Sequence, residues 1–190
     1  AGSLQYNLGN YEDAIENFSL MPMRTDSIGQ IANYQLGYSY IQMKNKVSAL
    51  DAFRQAAGLS YDAEIQEDAY FNYAKLAFDL NHDASPFSEY LSKYAKNKNS
   101  EQIYGYIALT FLYNRDYQAA VEAYDQIDEL DPQMRSNYMK ANYLRANQLV
   151  KSESYRDAIP YLRAATFFTD RQDNFNKLAR YWMAESNYKT

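Results

Sequence analysis

The amino-acid sequence predicts an all-α solenoid of stacked antiparallel helical hairpins. Three observations predict it. A short motif returns five times at steps of 34 to 38 residues, a small residue stands twelve positions ahead of each copy, and helix-capping signals fall where such hairpins would begin and end.

The clearest copies of the motif are Tyr11-Glu12-Asp13-Ala14-Ile15, Tyr117-Gln118-Ala119-Ala120-Val121 and Tyr155-Arg156-Asp157-Ala158-Ile159, with weaker copies around Ala49 and Pro86. Taking Ala14, Ala49, Pro86, Ala120 and Ala158 as anchors gives steps of 35, 37, 34 and 38 residues. Twelve residues before the anchors stand Gly2, Gly37, Ala74, Ala108 and Ala146. The residue after every anchor is apolar, and four after it comes Phe18, Phe53, Tyr90, Tyr124 or Leu162. The physical reading is a tight two-helix unit. A small residue on one helix and the anchor on the other let the backbones approach, and the large side chain one turn on fills the gap to the next unit.

Taken in order, the spacing predicts helices over 10–21, 28–43, 46–57, 63–80, 86–95, 101–113, 116–129, 133–150, 155–167 and 173–189. Ser27-x-x-Gln30 has the form of a capping box. Ser85-Pro86 and Asp131-Pro132 each place a good N-cap before a proline in the first helical position. Gly58 stands where a C-terminal cap belongs, and Pro160 falls in about the second turn of its helix, where a missing N–H costs less. Clear loops are expected at 21–26, 58–62, 96–100 and 169–173, none with the composition of an interdomain linker. The whole chain, 1–190, therefore reads as a single solenoid with repeats at about 1–26, 27–62, 63–99, 100–131, 132–170 and 171–190. Gly2 falls mid-helix in this register and the anchor belonging to Ala184 falls past Thr190, so the array is expected to be incomplete at both ends.

These residues resemble the tetratricopeptide repeat (TPR) family over nearly the whole chain. The resemblance is carried by the small residue of the first helix (Leu36-Gly37), the Tyr-x-x-Ala-Ile/Val pattern of the second, and the closing Asp131-Pro132. Pro86 departs from it at an anchor, as does Arg145 beside the small residue Ala146, and three steps exceed the standard spacing. The resemblance implies a right-handed superhelix whose first helices line a concave groove. It also implies a non-catalytic scaffold that binds a peptide or helical segment of a partner protein. Counted from each small residue, the groove-facing offsets bring forward Tyr34, Tyr38, Phe71, Lys75, Phe78, Tyr113, Tyr143, Asn147, Lys151 and Tyr181 as partner-binding residues. The bland alternative is that repeat stacking buries many of these aromatics. The family's carboxylate clamp of paired Lys and Asn does not match the offsets here. The abundance of Tyr and Asn is also similar to TPR proteins of the bacterial cell envelope, which assemble or tether other proteins.

Composition narrows the function further. The 190 residues carry a net charge of −5, against a nucleic-acid or anionic-membrane surface as the main partner. No apolar run nears the roughly 18 residues of a membrane helix. With no cysteine and one histidine, His82, thiolate chemistry and two-imidazole sites are excluded, and no metal or cofactor is expected. Asp79, His82 and Asp83 read better as a solvated helix end than as metal ligands. The acidic run Asp125, Asp128, Glu129, Asp131 reads as a solvated face able to attract a basic partner. No nucleophile–base pattern or glycine-rich phosphate loop is present. The competing reading is a module for self-assembly, or for packing within a larger protein, without a peptide ligand of its own.

Overall fold

In the computed structural model the described residues are 1–94, 99–168 and 174–190, and their regular elements are all helical. They form α1 (Gly2–Asn7), α2 (Tyr11–Ser19), α3 (Ser27–Gln42), α4 (Lys46–Ala57), α5 (Ala63–Asn81), α6 (Ser85–Lys93), α7 (Ser100–Tyr113), α8 (Tyr117–Tyr124), α9 (Pro132–Lys151), α10 (Tyr155–Ala164) and α11 (Asn174–Lys189). The expected loop at 169–173, and most of the one at 96–100, lie outside the described residues. The chain divides into two compact units, Ala1–Asn99 and Ser100–Thr190.

Each unit is a stack of hairpins, as the small-residue register requires. Gly2, Gly37, Ala74, Ala108 and Ala146 are all buried, and so is every anchor. The glycines are needed for space. A Cβ on Gly37 would lie 2.8 Å from the Phe53 ring, and one on Gly2 would lie 2.6 Å from Phe18. The aromatic therefore fills its own hairpin first. Phe53 then reaches the next repeat, sharing a cluster with Ala69 and Leu76 of α5.

Every helix packs on its chain neighbour within a unit. In addition α1 touches α3 and α3 touches α5, while α7 touches α9 and α9 touches α11. No comparable contact joins the even-numbered helices among the described residues. The odd helices thus form the tighter, inner side of each unit. No helix is long and apolar enough to cross a membrane among the described residues.

Four of the five hairpin turns share one device. Gly9, Lys44, Arg115 and Glu153 sit in the left-handed region at φ 78°, 59°, 61° and 61°. In each turn the following N–H reaches back five residues: Asn10 to Gln5, Asn45 to Tyr40, Asp116 to Phe111 and Ser154 to Leu149, all at 2.9 Å. This satisfies carbonyls at the end of one helix while the same residue begins the next. Three of the four positions carry a side chain that disfavours this conformation.

Several local expectations are corrected. The cap of α3 is Asp26, which accepts from the Gly29 N–H at 2.9 Å, so Ser27 and Gln30 form no capping box. Gln30 is buried instead and ties down the α4–α5 loop. Its amide donates to the carbonyls of Leu59 (2.7 Å) and Asp62 (3.1 Å), and its oxygen accepts from the Asp62 N–H (2.8 Å). Ala84, not Ser85, precedes α6. Gly58 does cap α4, but at φ −74°, a conformation any residue adopts. Helix α8 ends at Tyr124 rather than 129. Negative charge on Asp125, Asp128 and Glu129 opposes the helix dipole there, and the chain tightens into i−3 bonds such as Ile127 N–H to Tyr124 O at 3.0 Å. Asp131 caps α9 as expected, accepting from Met134 N–H at 2.7 Å. Arg145, foreign to the repeat pattern, donates to Gln118 at 3.0 Å, and Tyr161 donates to the same Gln118 oxygen at 2.7 Å, so a polar bridge replaces an apolar contact.

Candidate functional site

On the inner side of the first unit, α3 presents Tyr34 and Tyr38 one turn apart, their rings edge to face at 5.0 Å. Both hydroxyls donate to the same carboxylate oxygen, Oδ2 of Asp68 on α5, at 2.8 and 2.7 Å. Asn72, one turn along α5, donates to that oxygen at 3.0 Å and to the Tyr38 hydroxyl at 3.1 Å. Burial, followed by donation to Asp68, pushes the Tyr34 phenol well above its ordinary range and Tyr38 up to about 12. Both phenols stay protonated near neutrality and are poor bases there. They act as fixed donors holding two helices together.

Beside this network lies a cavity of about 510 Å³ lined by Tyr34, Glu64, Ile65, Glu67, Asp68 and Asn99. Glu67 already accepts from the Tyr90 hydroxyl at 2.7 Å. The cavity is acidic, with one tyrosine and one isoleucine as its apolar share. Its chemistry suits an N–H donor or a cationic side chain rather than an anion.

The other expected site residues divide by burial. Phe71 and Phe78 are buried, Phe78 against Phe87 at 6.1 Å and Phe71 beneath the Lys75 ammonium at 5.2 Å. In the second unit Tyr143 is buried, with its ring 5.5 Å from Phe175 of α11. These three side chains work as core. Tyr90 and Phe87 of α6 in the same hairpin pack on Phe71 and Phe78, and Phe175 of α11 packs on Tyr143, since the offset stripe does not distinguish a residue facing another helix from one facing solvent. Tyr34, Tyr38, Lys75 and Asn147 are half-buried, Lys151 is exposed, and Tyr113 and Tyr181 are 67% and 61% exposed.

His82 closes α5 in a left-handed turn at φ 54°, and Asp79 pairs with Lys46 at 2.9 Å. Among the described residues no group of three or more His, Asp or Glu could hold a metal ion. The residues that sequence reasoning left aside are Asp68 as a hub, Asn72, and the exposed pair Phe167 and Phe168 past the end of α10. Asp68 and Asn72 carry a signal in their i, i+4 spacing opposite Tyr34 and Tyr38. The phenylalanines follow no repeat offset and carry none.

The tetratricopeptide repeat model matches residues 31–62 and 101–134. The first stretch holds most of α3 with α4, and the second holds α7 with α8. Repeats of this type generally mediate protein–protein interaction and are typically non-catalytic scaffolds. No curated protein matches the chain.

Proposed function

We propose that the inner faces of the two units bind a segment of a partner protein, and that the chain acts as a scaffold without chemistry of its own. The observation that carries this reading is the Tyr34–Tyr38–Asp68–Asn72 network, which fixes an aromatic and acidic surface in advance and so lowers the ordering cost of binding. On the first unit the segment would set a basic side chain against Glu64 and Asp68, with the Lys75 ammonium guiding register. On the second, Tyr113 and Tyr181 would supply aromatic contact while Asn147 and Lys151 choose orientation. The residues Phe71, Phe78 and Tyr143 support these faces from beneath.

The test is capture of the cognate partner by the whole protein carrying Asp68→Asn with Tyr113→Ala, beside a Leu178→Ser, Tyr188→Ser variant on the exposed face of α11. Loss of capture in the first and retention in the second supports the inner faces. The reverse supports self-assembly or intramolecular packing through α11, a reading favoured by the exposed Leu178 and Tyr188. The tyrosine- and asparagine-rich style is the sole support for a bacterial cell-envelope setting, which fractionation of source cells decides.

A further inference from the structure

The later inner helices of the second unit carry a charge opposite to that of the chain as a whole, which is −5. Helix α9 holds Arg135, Lys140, Arg145 and Lys151 with no carboxylate, and α11 holds Lys177, Arg180 and Lys189 against Glu185. In the first unit the balance runs the other way. There α3 has no charged residue, and α5 sets Glu64, Glu67, Asp68 and Asp79 against Lys75.

The cations of α9 and α11 divide by what they already hold. Arg135 is turned to the Leu130 carbonyl at 2.8 Å, and Arg145 to Gln118 at 3.0 Å. Arg180 donates to Asn176 at 2.6 Å, and Lys189 stands 3.9 Å from Glu185. Lys140, Lys151 and Lys177 are exposed, and no carboxylate among the described residues pairs with them. Lys140 and Lys151 share one stripe of α9 with Asn147 between them, and lie about 16 Å apart along the helix axis. On α11, Lys177 stands one turn before the exposed Tyr181. The two helices meet through Tyr143 and Phe175, whose rings are 5.5 Å apart, so these stripes adjoin.

Resting on the reading that the inner faces bind a partner segment, we infer that the segment taken by the second unit is acidic. It is an internal stretch with carboxylates about five residues apart and a bulky apolar side chain between them, since an extended chain rises about 3.3 Å per residue and so covers the distance from Lys140 to Lys151. Its carboxylates meet those two lysines, its apolar side chain seats on Tyr181, and Lys177 draws the same negative charge. Lysines this far apart cannot close on one carboxylate, so the recognised groups are side chains and not a chain end. A nucleic acid bears a charge at every unit of its backbone, which the surrounding chain of net charge −5 repels more than it does a few carboxylates. The exposed lysines steer the segment, and their contribution falls with added salt.

The test is a nitrogen-15 NMR titration of the whole protein with three probes. These are the octapeptide Gly-Asp-Glu-Phe-Leu-Glu-Asp-Gly, capped at both ends, a counterpart carrying lysine in place of aspartate and glutamate, and a single-stranded oligothymidine. Expected are saturable shifts at the Asn147, Lys151 and Tyr181 amides with the acidic peptide only, weakening as salt is raised. Affinity should fall about fivefold in Lys140→Gln, Lys151→Gln, and about tenfold in Tyr181→Ala, all exposed positions that change without disturbing the core. Asp68→Asn should leave this binding unchanged. Equal shifts at the same amides with the lysine peptide or the oligothymidine would overturn the acidic partner and leave the inner-face reading standing. So would silence toward all three probes while Asp68→Asn with Tyr113→Ala still abolishes capture of the cognate partner. Shifts confined to α8 and α10 amides would overturn both.

Discussion

Replacing Gly37 with alanine should destabilise the α3–α4 hairpin, opposite in sign to helix propensity. In an open helix the exchange gains roughly 0.5–1 kcal/mol. Here the new methyl would stand 2.8–2.9 Å from three atoms of the Phe53 ring. That ring is fully buried, with Tyr38 at 5.0 Å and Tyr34 at 6.2 Å, both edge to face, and those phenols are tethered to Asp68. It has no open direction in which to yield. Overpacking of this kind costs roughly 1–3 kcal/mol, leaving a net loss of about 1 kcal/mol. Urea unfolding by circular dichroism, with hydrogen exchange read at α3 and α4 amides, measures it. Phe53→Leu in the same background should recover about 1 kcal/mol relative to additivity. Gly58→Ala is the control, because its methyl would meet nothing closer than 3.4 Å. A Gly37→Ala protein more stable than the parent, or strict additivity with Phe53→Leu, would refute the close approach.

Three further outcomes are expected. Gln30→Leu keeps the volume but strands the Leu59 carbonyl and the Asp62 N–H, while the Asp62 carbonyl keeps the Gln66 N–H, so stability should fall by about 2 kcal/mol, with early exchange at 59–62; a loss below about 1 kcal/mol would show that water replaces the side chain. Lys44→Gly, Arg115→Gly and Glu153→Gly should each raise stability by about 0.5–1 kcal/mol in thermal unfolding, since each relieves a left-handed side-chain residue; lower melting would contradict the turn geometry. Above pH 10 the unfolded chain loses phenolic protons that Tyr34 and Tyr38 retain when folded, so their stabilisation is complete below about pH 10 and is lost as pH rises through about 12. Tyrosinate absorbance during alkaline titration should show the pair ionising late, with Tyr70 and Tyr124, whose phenols burial also raises, and Tyr38→Phe should flatten the loss; early ionisation of both would rule out the shared bond to Asp68.

Much of this fold was legible because packing repeats leave a periodic trace. Gly37, Ala49 and Phe53 must meet in space, and the same three chemistries recur wherever a hairpin must close. The turns were harder to read. Lys44, Arg115 and Glu153 occupy positions where glycine is easiest, and the lasting signal is the residue after each, Asn45, Asp116 and Ser154, which ends one helix while starting another. Gln30 was misread because a capping box and a tertiary amide bridge share one spelling, and only the neighbouring Asp26 settles which residue caps α3. The candidate site was half legible. Helical offset finds the inner side, where Tyr34 and Tyr38 lie, but it cannot separate the solvent-facing Tyr113 from the buried Phe71, Phe78 and Tyr143. That distinction depends on which helix packs over each position, α6 of the same hairpin for Phe71 and Phe78 and α11 for Tyr143, and one helix's offsets do not carry it. Asp68 falls on the groove-facing offsets, but its role as a shared acceptor, like the Phe167–Phe168 pair, was not legible for a related reason, since each gains its meaning from a partner far along the chain or from a cavity formed by three helix ends.

The central claim, that the odd-numbered helices present the recognition faces, is tested most directly by site-specific photocrosslinking in cells of the source. A benzophenone side chain is placed in turn at Tyr113 and Tyr181 on odd helices, and at Arg54 and Glu122 on even ones. Discrete crosslinked products with another protein are expected from Tyr113 and Tyr181, and none from Arg54 or Glu122. Products from the even-helix positions alone, or only crosslinks between copies of this chain, would contradict it.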